Sequence, residues 1–522
     1  MAQPDRTFDY VIVGAGSAGC VLAARLTEDP GVSVALVEAG PPDTAQEIHI
    51  PVALASLFKS RWDWDYDSEP EPALDGRRNY VPRGRTLGGS SSMNVMIYTR
   101  GNRVDYDDWA AGGAEGWSYD EVLPYFRRAE DNQRGADHYH GVGGPLTVSD
   151  GRSLNPLGEA FLEAAEQAGH RRNADFNGDS QLGVGRFQLT QRNGLRWSTA
   201  DAYLRPSLDR PNLTVITEAL AHRVLFEGDR AVGVEISQGS ALQKLRADRE
   251  VVLSAGTYGT PHLLLRSGVG PAPALTPFQI AVLHELPVGQ QLQDHPFLTL
   301  NYLTDEESLM TALSPANLAL LQNEHRGPLT SNIGEAGGFM MTQPGLAAPD
   351  LQFYQSPALF YQEALGPLIA HGFAIGPCVI KPTSRGSLTL RTAAPDTAPR
   401  IQHNFLTTEE DQQTMLAGVR IALDIAGRPA LKSVTTGPFT VPESSSDADL
   451  LAYIRRTTQT LYHPTSTCAI GSVVDSKLRV LGLQGLRVVD ASVMPSVPRG
   501  NTNAATIMIA EKAADLIREK AN

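Results

Sequence analysis

The first strong hydrophobic pattern in the chain is Tyr10 to Val13, an apolar run without a polar break that predicts a parallel strand covered on both faces. A glycine-rich turn follows, then an apolar helix from Ser17 to about Thr27 and a second strand from Val32 to Val37, which ends at Glu38. Ile50 to about Val81 carries RWDWDYDSEPEP, whose prolines and charges predict an extended excursion rather than a central strand. Helical spacing returns at Tyr119 to Ala129 and Leu157 to Ala168, and Arg196 to Leu204 predicts another helix capped by Ser198 or Thr199. Leu213 to Ile236 alternates apolar and polar residues around a turn at Gly228-Asp229, the pattern of a strand pair or meander. Glu250 to Leu253 predicts a buried strand that passes through Ser254-Ala255-Gly256 into a helix closed by Gly268. From about Thr299 to Thr458 the texture is that of an antiparallel sheet with helices, including one from Glu409 to Ala426. Arg487 to Val489 predicts a last buried strand, and Ile507, Ala510, Ala514 and Ile517 keep helical spacing in a final helix that Asn503 is placed to cap.

A chain of 522 residues is long enough for two or three domains with large cores, and 42% hydrophobic with 20% charged is an ordinary composition for a soluble globular enzyme that does not indicate disorder. Its 44 basic and 58 acidic residues give a net charge of −14, which argues against nucleic-acid and anionic-membrane partners and suits a small neutral or cationic substrate. No run of 18 apolar residues occurs, and MAQPDRTFDY leads straight into the first strand; neither a membrane span nor a signal sequence is expected, and the expected location is cytoplasmic. Cys20, Cys378 and Cys468 are too scattered for a disulfide framework, and the twelve histidines lack ligand spacing, so no metal site is expected.

Gly14-Ala15-Gly16-Ser17-Ala18-Gly19 fits G-x-G-x-x-G between a strand and a helix. Gly14 permits the tight turn, Gly16 lets backbone approach a pyrophosphate, and Gly19 brings helix and strand together. The helix directs its free N–H groups at the phosphates, and Glu38 is placed to accept hydrogen bonds from a ribose. The break into Pro41-Pro42-Asp43, in place of a continued βαβ series, favours FAD over NAD. Arg83-Gly84-Arg85 and Leu87-Gly88-Gly89-Ser90-Ser91-Ser92 read as a second loop contacting phosphate and ring.

Together with STADAYL, LSAGT, LQDHP (ending Asp294-His295-Pro296), LYHPTS and NTNAAT, these motifs make the chain resemble the glucose-methanol-choline family of FAD-dependent oxidoreductases along nearly its whole length. The resemblance implies an α/β fold. A Rossmann-like FAD domain of discontinuous segments would span residues 7–298, with excursions about 41–81 and 150–195 toward the substrate side. An α+β substrate domain with an antiparallel sheet would take 299–458, and 459–520 would complete the active site. It carries cofactor contacts to Gly14, Gly16, Ser17, Ala18, Gly19, Glu38, Ala39, Arg85, Gly88, Gly89, Ser92, Asn94, Met96, Ala221, Ala255, Asp490, Ala491 and Thr506. Relatives that bond FAD covalently use a histidine just before the loop asparagine; here that residue is Met93, so non-covalent FAD is expected.

The same resemblance assigns His463 and Asn503 to the catalytic pair facing the flavin. Their chemistry fits alcohol oxidation: a neutral imidazole accepts the hydroxyl proton near pH 7, an asparagine amide holds the oxygen, and the hydride passes to flavin N5. The reading is a primary-alcohol oxidoreductase using oxygen or an electron carrier as acceptor. Choline oxidation, or a non-oxidising family activity such as a hydroxynitrile lyase or fatty-acid photodecarboxylase, stands as the alternative. Tyr462, Phe353, Tyr354, Trp62 and Trp64 are candidate pocket aromatics, and Glu335 is a candidate partner for a cationic head group.

Overall fold

The computed structural model describes residues 6–519. Residues 1–5, read above as leading into the first strand, and residue 520 of the C-terminal segment lie outside the described residues. The first strand, Arg6–Val13, pairs in parallel with Val34–Val37 on one side and with the 13-residue strand Ala241–Leu253 on the other. Val11 and Ile12 have no solvent exposure, as an unbroken apolar strand in a covered sheet requires. Across the sheet the strands run Leu213–Ile216, Val34–Val37, Arg6–Val13, Ala241–Leu253, Arg230–Gln238 and Ala219–Glu227.

The far edge of Ala241–Leu253 is shared. Its first half pairs antiparallel with Arg230–Gln238, and Val251 to Leu253 pair in parallel with Leu486–Val488 from the C-terminal segment. Val13, Val37, Leu253 and Val488 therefore end together, and the turns at Gly14, Glu38, Ser254 and Asp490 crowd one crevice at the carboxyl ends of the strands, where open α/β sheets bind ligands.

Two expectations are corrected here. Leu213–Ile216 is not part of a meander: it pairs in parallel with Val34–Val37, and only Ala219–Glu227 and Arg230–Gln238 form the hairpin around Gly228-Asp229. The helix expected after Ser198 is a short π turn, Ala200–Leu204, followed by a 3-10 turn, Arg205–Ser207. Pro206, inside that 3-10 turn, has no N–H to extend the preceding helical ladder.

The second sheet is antiparallel, in the order Gly437–Thr440, Leu300–Leu303, Gly372–Val379, Leu351–Ser356, Ala336–Met340 and Gly183–Arg186. The Glu409–Ala426 helix, N-capped by Thr408, covers it with a face of Met415, Leu416, Val419, Ala422 and Ile425. A Cβ on Gly418 would lie 2.9 Å from the Pro377 ring, so the glycine sets how closely helix and sheet approach. Cys20, Cys378 and Cys468 are all buried and free. Among the described residues no helix is long and apolar enough to cross a membrane.

Candidate active site

One continuous cavity runs from the glycine turn to His463. Its nucleotide end is shaped by what each glycine would meet. A Cβ on Gly14, at φ +100°, would lie 2.4 Å from the Ser254 carbonyl oxygen, and one on Gly19 would lie 1.8 Å from the Gly14 oxygen. Both positions need glycine for packing. A Cβ on Gly16 would meet only the Gly89 Cα, at 3.9 Å, and otherwise project into the cavity. That open cradle at a helix N-terminus fits a pyrophosphate. Glu38 lines the same end, its two oxygens accepting from the Ala15 and Gly40 N–H groups at 3.0 and 2.8 Å; burial pushes its carboxyl up to about 7. Asp490 is held by the Gly256 N–H, Thr260, and the Ser492 N–H and hydroxyl, and burial likewise raises its pKa.

Of the expected cofactor contacts, Gly14, Gly16, Ser17, Ala18, Glu38, Ala39, Gly89, Asn94, Met96, Ala221, Ala255, Asp490, Ala491 and Thr506 line the cavity. Gly19, Arg85, Gly88 and Ser92 do not: they build its wall. Ser92 donates to the Leu87 carbonyl, and the Arg85 guanidinium lies over Trp64, which does line the cavity beside Tyr66 with their rings stacked at 5.8 Å. Asn94 Oδ1 accepts from the Met96 N–H and from buried Arg196, both at 2.9 Å, leaving its amide N–H₂ for the cavity.

At the other end the structure sets the expected histidine against a different asparagine. His463 sits on a loop after Tyr462, its backbone N–H donating to Asp294 Oδ1 at 2.8 Å. Its Nε2 lies 3.1 Å from Nδ2 of Asn501, not Asn503. The final helix is Thr502–Glu519, so Asn503 lies inside its first turn rather than capping it, and its Oδ1 accepts from Ser17 in the glycine turn at 2.7 Å. Asn501, just before the helix, has the side-chain direction that reaches the base. The N-T-N spelling holds both residues, and spacing alone does not tell which one leaves the helix axis. His463 Nδ1 lies 3.0 Å from Nδ1 of His295, a partner to which the motif pattern assigns no role. Burial first, then His295 and Arg83, hold the His463 pKa well below its usual value, so its imidazole is neutral at pH 7.

The walls around this pair are apolar: Phe58, Met93, Ile97, Phe297, Ile333, Phe360 and Leu461, with Tyr354 and Tyr462. Phe297 packs edge-on against both Tyr354 and Phe360. Met96, Ile333 and Tyr462 hold positive φ (58°, 73° and 68°), a costly conformation for such side chains and one that clusters at functional sites. The cavity's carboxylates are at the other end: Glu38 and Asp490 beside the glycine turns, and Asp396 near Arg266, which bonds the Ala221 carbonyl.

Four expected substrate contacts are corrected. Phe353 alternates to the opposite face of its strand from Tyr354 and is buried in the core beneath the sheet. Trp62 packs with Ile48, Leu54, Leu57 and Met93 behind the cavity wall, while Trp64 lies at the nucleotide end. Glu335 is buried off the cavity, its oxygens taken by the Ser331 hydroxyl at 2.6 Å and the Asn155 N–H at 2.7 Å. Burial raises its pKa, and it faces no site for a cation.

Comparison with known proteins agrees with this architecture. Residues 8–297 match the N-terminal GMC oxidoreductase family model and residues 382–510 its C-terminal counterpart. The chain is 43% identical to an alcohol dehydrogenase (acceptor) from Pseudomonas putida, over 98% of this chain and 96% of the relative. It is 44% identical to the mitochondrial choline dehydrogenase of Homo sapiens, over 98% and 90%. Among solved structures, pyridoxine 4-oxidase from Mesorbium loti aligns over 97% of this chain and 98% of its own with a TM-score of 0.90 and 32% identity.

Proposed function

Starting from the chain's membership of the GMC oxidoreductase family, FAD-dependent oxidoreductases acting on CH-OH donors, we propose that it oxidises an uncharged, apolar primary alcohol to the aldehyde. Bound FAD supplies the hydride acceptor. In this reading His463 Nε2 takes the hydroxyl proton, and the Asn501 amide N–H holds the oxygen as negative charge builds on it. The Asn501 orientation is set before substrate arrives, because its Oδ1 already accepts from Thr99 at 3.1 Å, Gln352 at 3.2 Å and Tyr354 at 3.4 Å. The apolar aromatic walls exclude water and strengthen these contacts. The parallel sheet and its crevice form the nucleotide half of this machine, and the antiparallel sheet supplies Phe297 and Tyr354 to the substrate half. Met93 lines the cavity where a covalent link would require histidine, so FAD is held non-covalently.

The observation that carries the substrate class is the lack, among the described residues, of any cavity carboxylate beside the His463–Asn501 pair. A trimethylammonium group would meet aromatic faces with no counter-charge, whereas a benzylic or aliphatic chain gains by burial, at about 25 cal/mol per Å². The test is an anaerobic screen of benzyl alcohol, 1-octanol and choline, reading the loss of flavin absorbance, followed by admission of oxygen. Bleaching by the apolar alcohols at far lower concentration than choline is expected. Preference for choline, or no bleaching by any alcohol in the dark, overturns the reading. Acid precipitation should leave the yellow cofactor in the supernatant; colour retained in the pellet refutes non-covalent binding.

A further inference from the structure

The hydrogen bonds around His463 run in one direction. Asn501 Oδ1 faces the Thr99 hydroxyl, the Gln352 amide N–H₂ and the Tyr354 hydroxyl, so it is the acceptor end of that amide, and Nδ2 is the end turned to His463. An N–H₂ donor opposite His463 Nε2 makes that nitrogen an acceptor, and the ring proton must then sit on Nδ1. The group facing Nδ1 is His295 Nδ1 at 3.0 Å, with the two rings perpendicular at 89°. It accepts that proton's hydrogen bond only if His295 carries its own proton on Nε2. The surroundings suit this: His295 has no solvent exposure, its Nε2 makes no well-formed hydrogen bond, and the backbone groups acting on its ring are the Ile380 and Pro498 carbonyls, which are acceptors.

We propose that His295 is a positioning residue that fixes His463 in the tautomer protonated on Nδ1, so that the Nε2 lone pair faces the substrate hydroxyl. It does for this base what the buried aspartate does for the histidine of a serine protease, with a neutral acceptor in place of a charged one. A carboxylate at that position would favour the imidazolium and raise the pKa of the base, while a second neutral imidazole orients the ring without that effect. The backbone of both histidines is locked by one side chain. Asp294 Oδ1 accepts from the backbone N–H of His295 and of His463 at 2.8 Å, and Asp294 Oδ2 accepts from Thr460 at 2.6 Å.

The charged and titratable groups facing this pair are few. Arg83 bears on His463, Lys381 bears on His295 while bonding Ser496, and His403 lies 3.6 Å from Asp294. Both cations oppose protonation of the imidazoles, and burial adds to them, holding His295 down to about 3. His295 therefore stays a neutral acceptor across the working range, and the proton taken from the alcohol stays on His463.

The proposal rests on His463 being the base, and its test separates the two. Three variants of the FAD-loaded enzyme are compared: His295→Leu removes the acceptor, His295→Asn puts an amide oxygen near the position of Nδ1, and His295→Asp puts a charge there. The tautomer of His463 is read from its ring ¹⁵N shifts in histidine-labelled protein, and kcat/KM for benzyl alcohol is followed against pH. Wild-type enzyme should show the Nδ1–H form. His295→Leu should lose that preference and drop about 10- to 100-fold in kcat, with KM and flavin spectrum unchanged, the scale seen when the group orienting a metal-ligating histidine is removed. His295→Asn should recover to within a few-fold, and His295→Asp should move the acid limb of kcat/KM to higher pH by about 1 to 3 units.

A His295→Leu enzyme with wild-type tautomer and kcat overturns the proposal. If that variant fails to hold FAD, the comparison of Asn with Asp decides, and an unmoved acid limb in His295→Asp overturns it equally. Activity surviving in His463→Ala refutes the base assignment instead, a separate outcome because the ¹⁵N measurement needs no turnover.

Discussion

Asn501 and Asn503 are the sharpest place to test the site, since they stand close together in sequence and face different partners. Asn501 is 7% exposed; its Nδ2 points at His463 and its Oδ1 takes three donors. Truncation to alanine removes the N–H that would meet the forming alkoxide. Losing one such donor costs about 2.7–4 kcal/mol in the transition state, or about 10²- to 10³-fold in rate. It also leaves the Thr99, Gln352 and Tyr354 donors without their acceptor, which should lower folding stability by about 1–3 kcal/mol. Asn503→Ala instead breaks one bond, from Ser17 at 2.7 Å in the nucleotide cradle. A single neutral hydrogen bond contributes about 0.5–1.5 kcal/mol, so FAD should bind up to about tenfold more weakly while saturated enzyme keeps its rate within a few-fold. The assay is anaerobic stopped-flow reduction at saturating FAD and benzyl alcohol, paired with an FAD fluorescence titration. A larger loss of reduction rate in Asn503→Ala than in Asn501→Ala would refute the pairing of His463 with Asn501 and return the catalytic role to the helix.

The glycine turn separates packing from binding. Gly16→Ala should fold, because its methyl fits the protein, yet lose FAD affinity by an order of magnitude or more; Gly19→Ala should fail to accumulate folded, its methyl falling 1.8 Å from the Gly14 oxygen. Equal FAD affinity in Gly16→Ala and wild type refutes the cradle. With the His463 pKa held well below 6.5, kcat/KM should be flat from pH 7 upward and fall only on the acid side of the usual histidine range, as the base is protonated. A limb centred near 7 contradicts this. His295 and His262 are each lowered to about 3 by burial, so on acidification the unfolded state takes protons first, near 6.5, and stability falls from there down to about 3. From pH 7 to pH 5 each should remove about 2 kcal/mol, and His262→Gln should abolish its share in a denaturant titration run at both pH values.

Much of the molecule was legible from local pattern. A strand, a G-x-G-x-x-G turn, a helix and an acidic strand end are forced by short-range sterics, and the structure reproduces them at Arg6–Val13, Ser17–Leu26 and Glu38. The Glu409–Ala426 helix was equally readable because its apolar face and acidic first turn lie within its own residues. His463 was assigned through the family resemblance, and the proline that follows it biases it toward an extended backbone on a loop. The failures have a common form. Trp62 and Trp64 are neighbours of like chemistry, but only the second turns into the cavity. Phe353 and Tyr354 are adjacent on one strand and so face opposite ways, and no local feature says which face is inward. Glu335 read as a free carboxylate until the chain folded Ser331 and Asn155 onto it.

The sequence by itself determined the covered parallel strand, the nucleotide turn with its three glycine positions, the major helices and the histidine loop, because each depends on contacts among residues a few places apart. Tertiary structure alone decided that Leu486–Val488 enters the sheet beside Leu253, that Asn501 rather than Asn503 meets the base, and that His295 stands behind it from 168 positions away in the chain. Those facts are relations between distant segments. They exist only once burial of two sheets' apolar faces has brought the ends of the chain to one cavity.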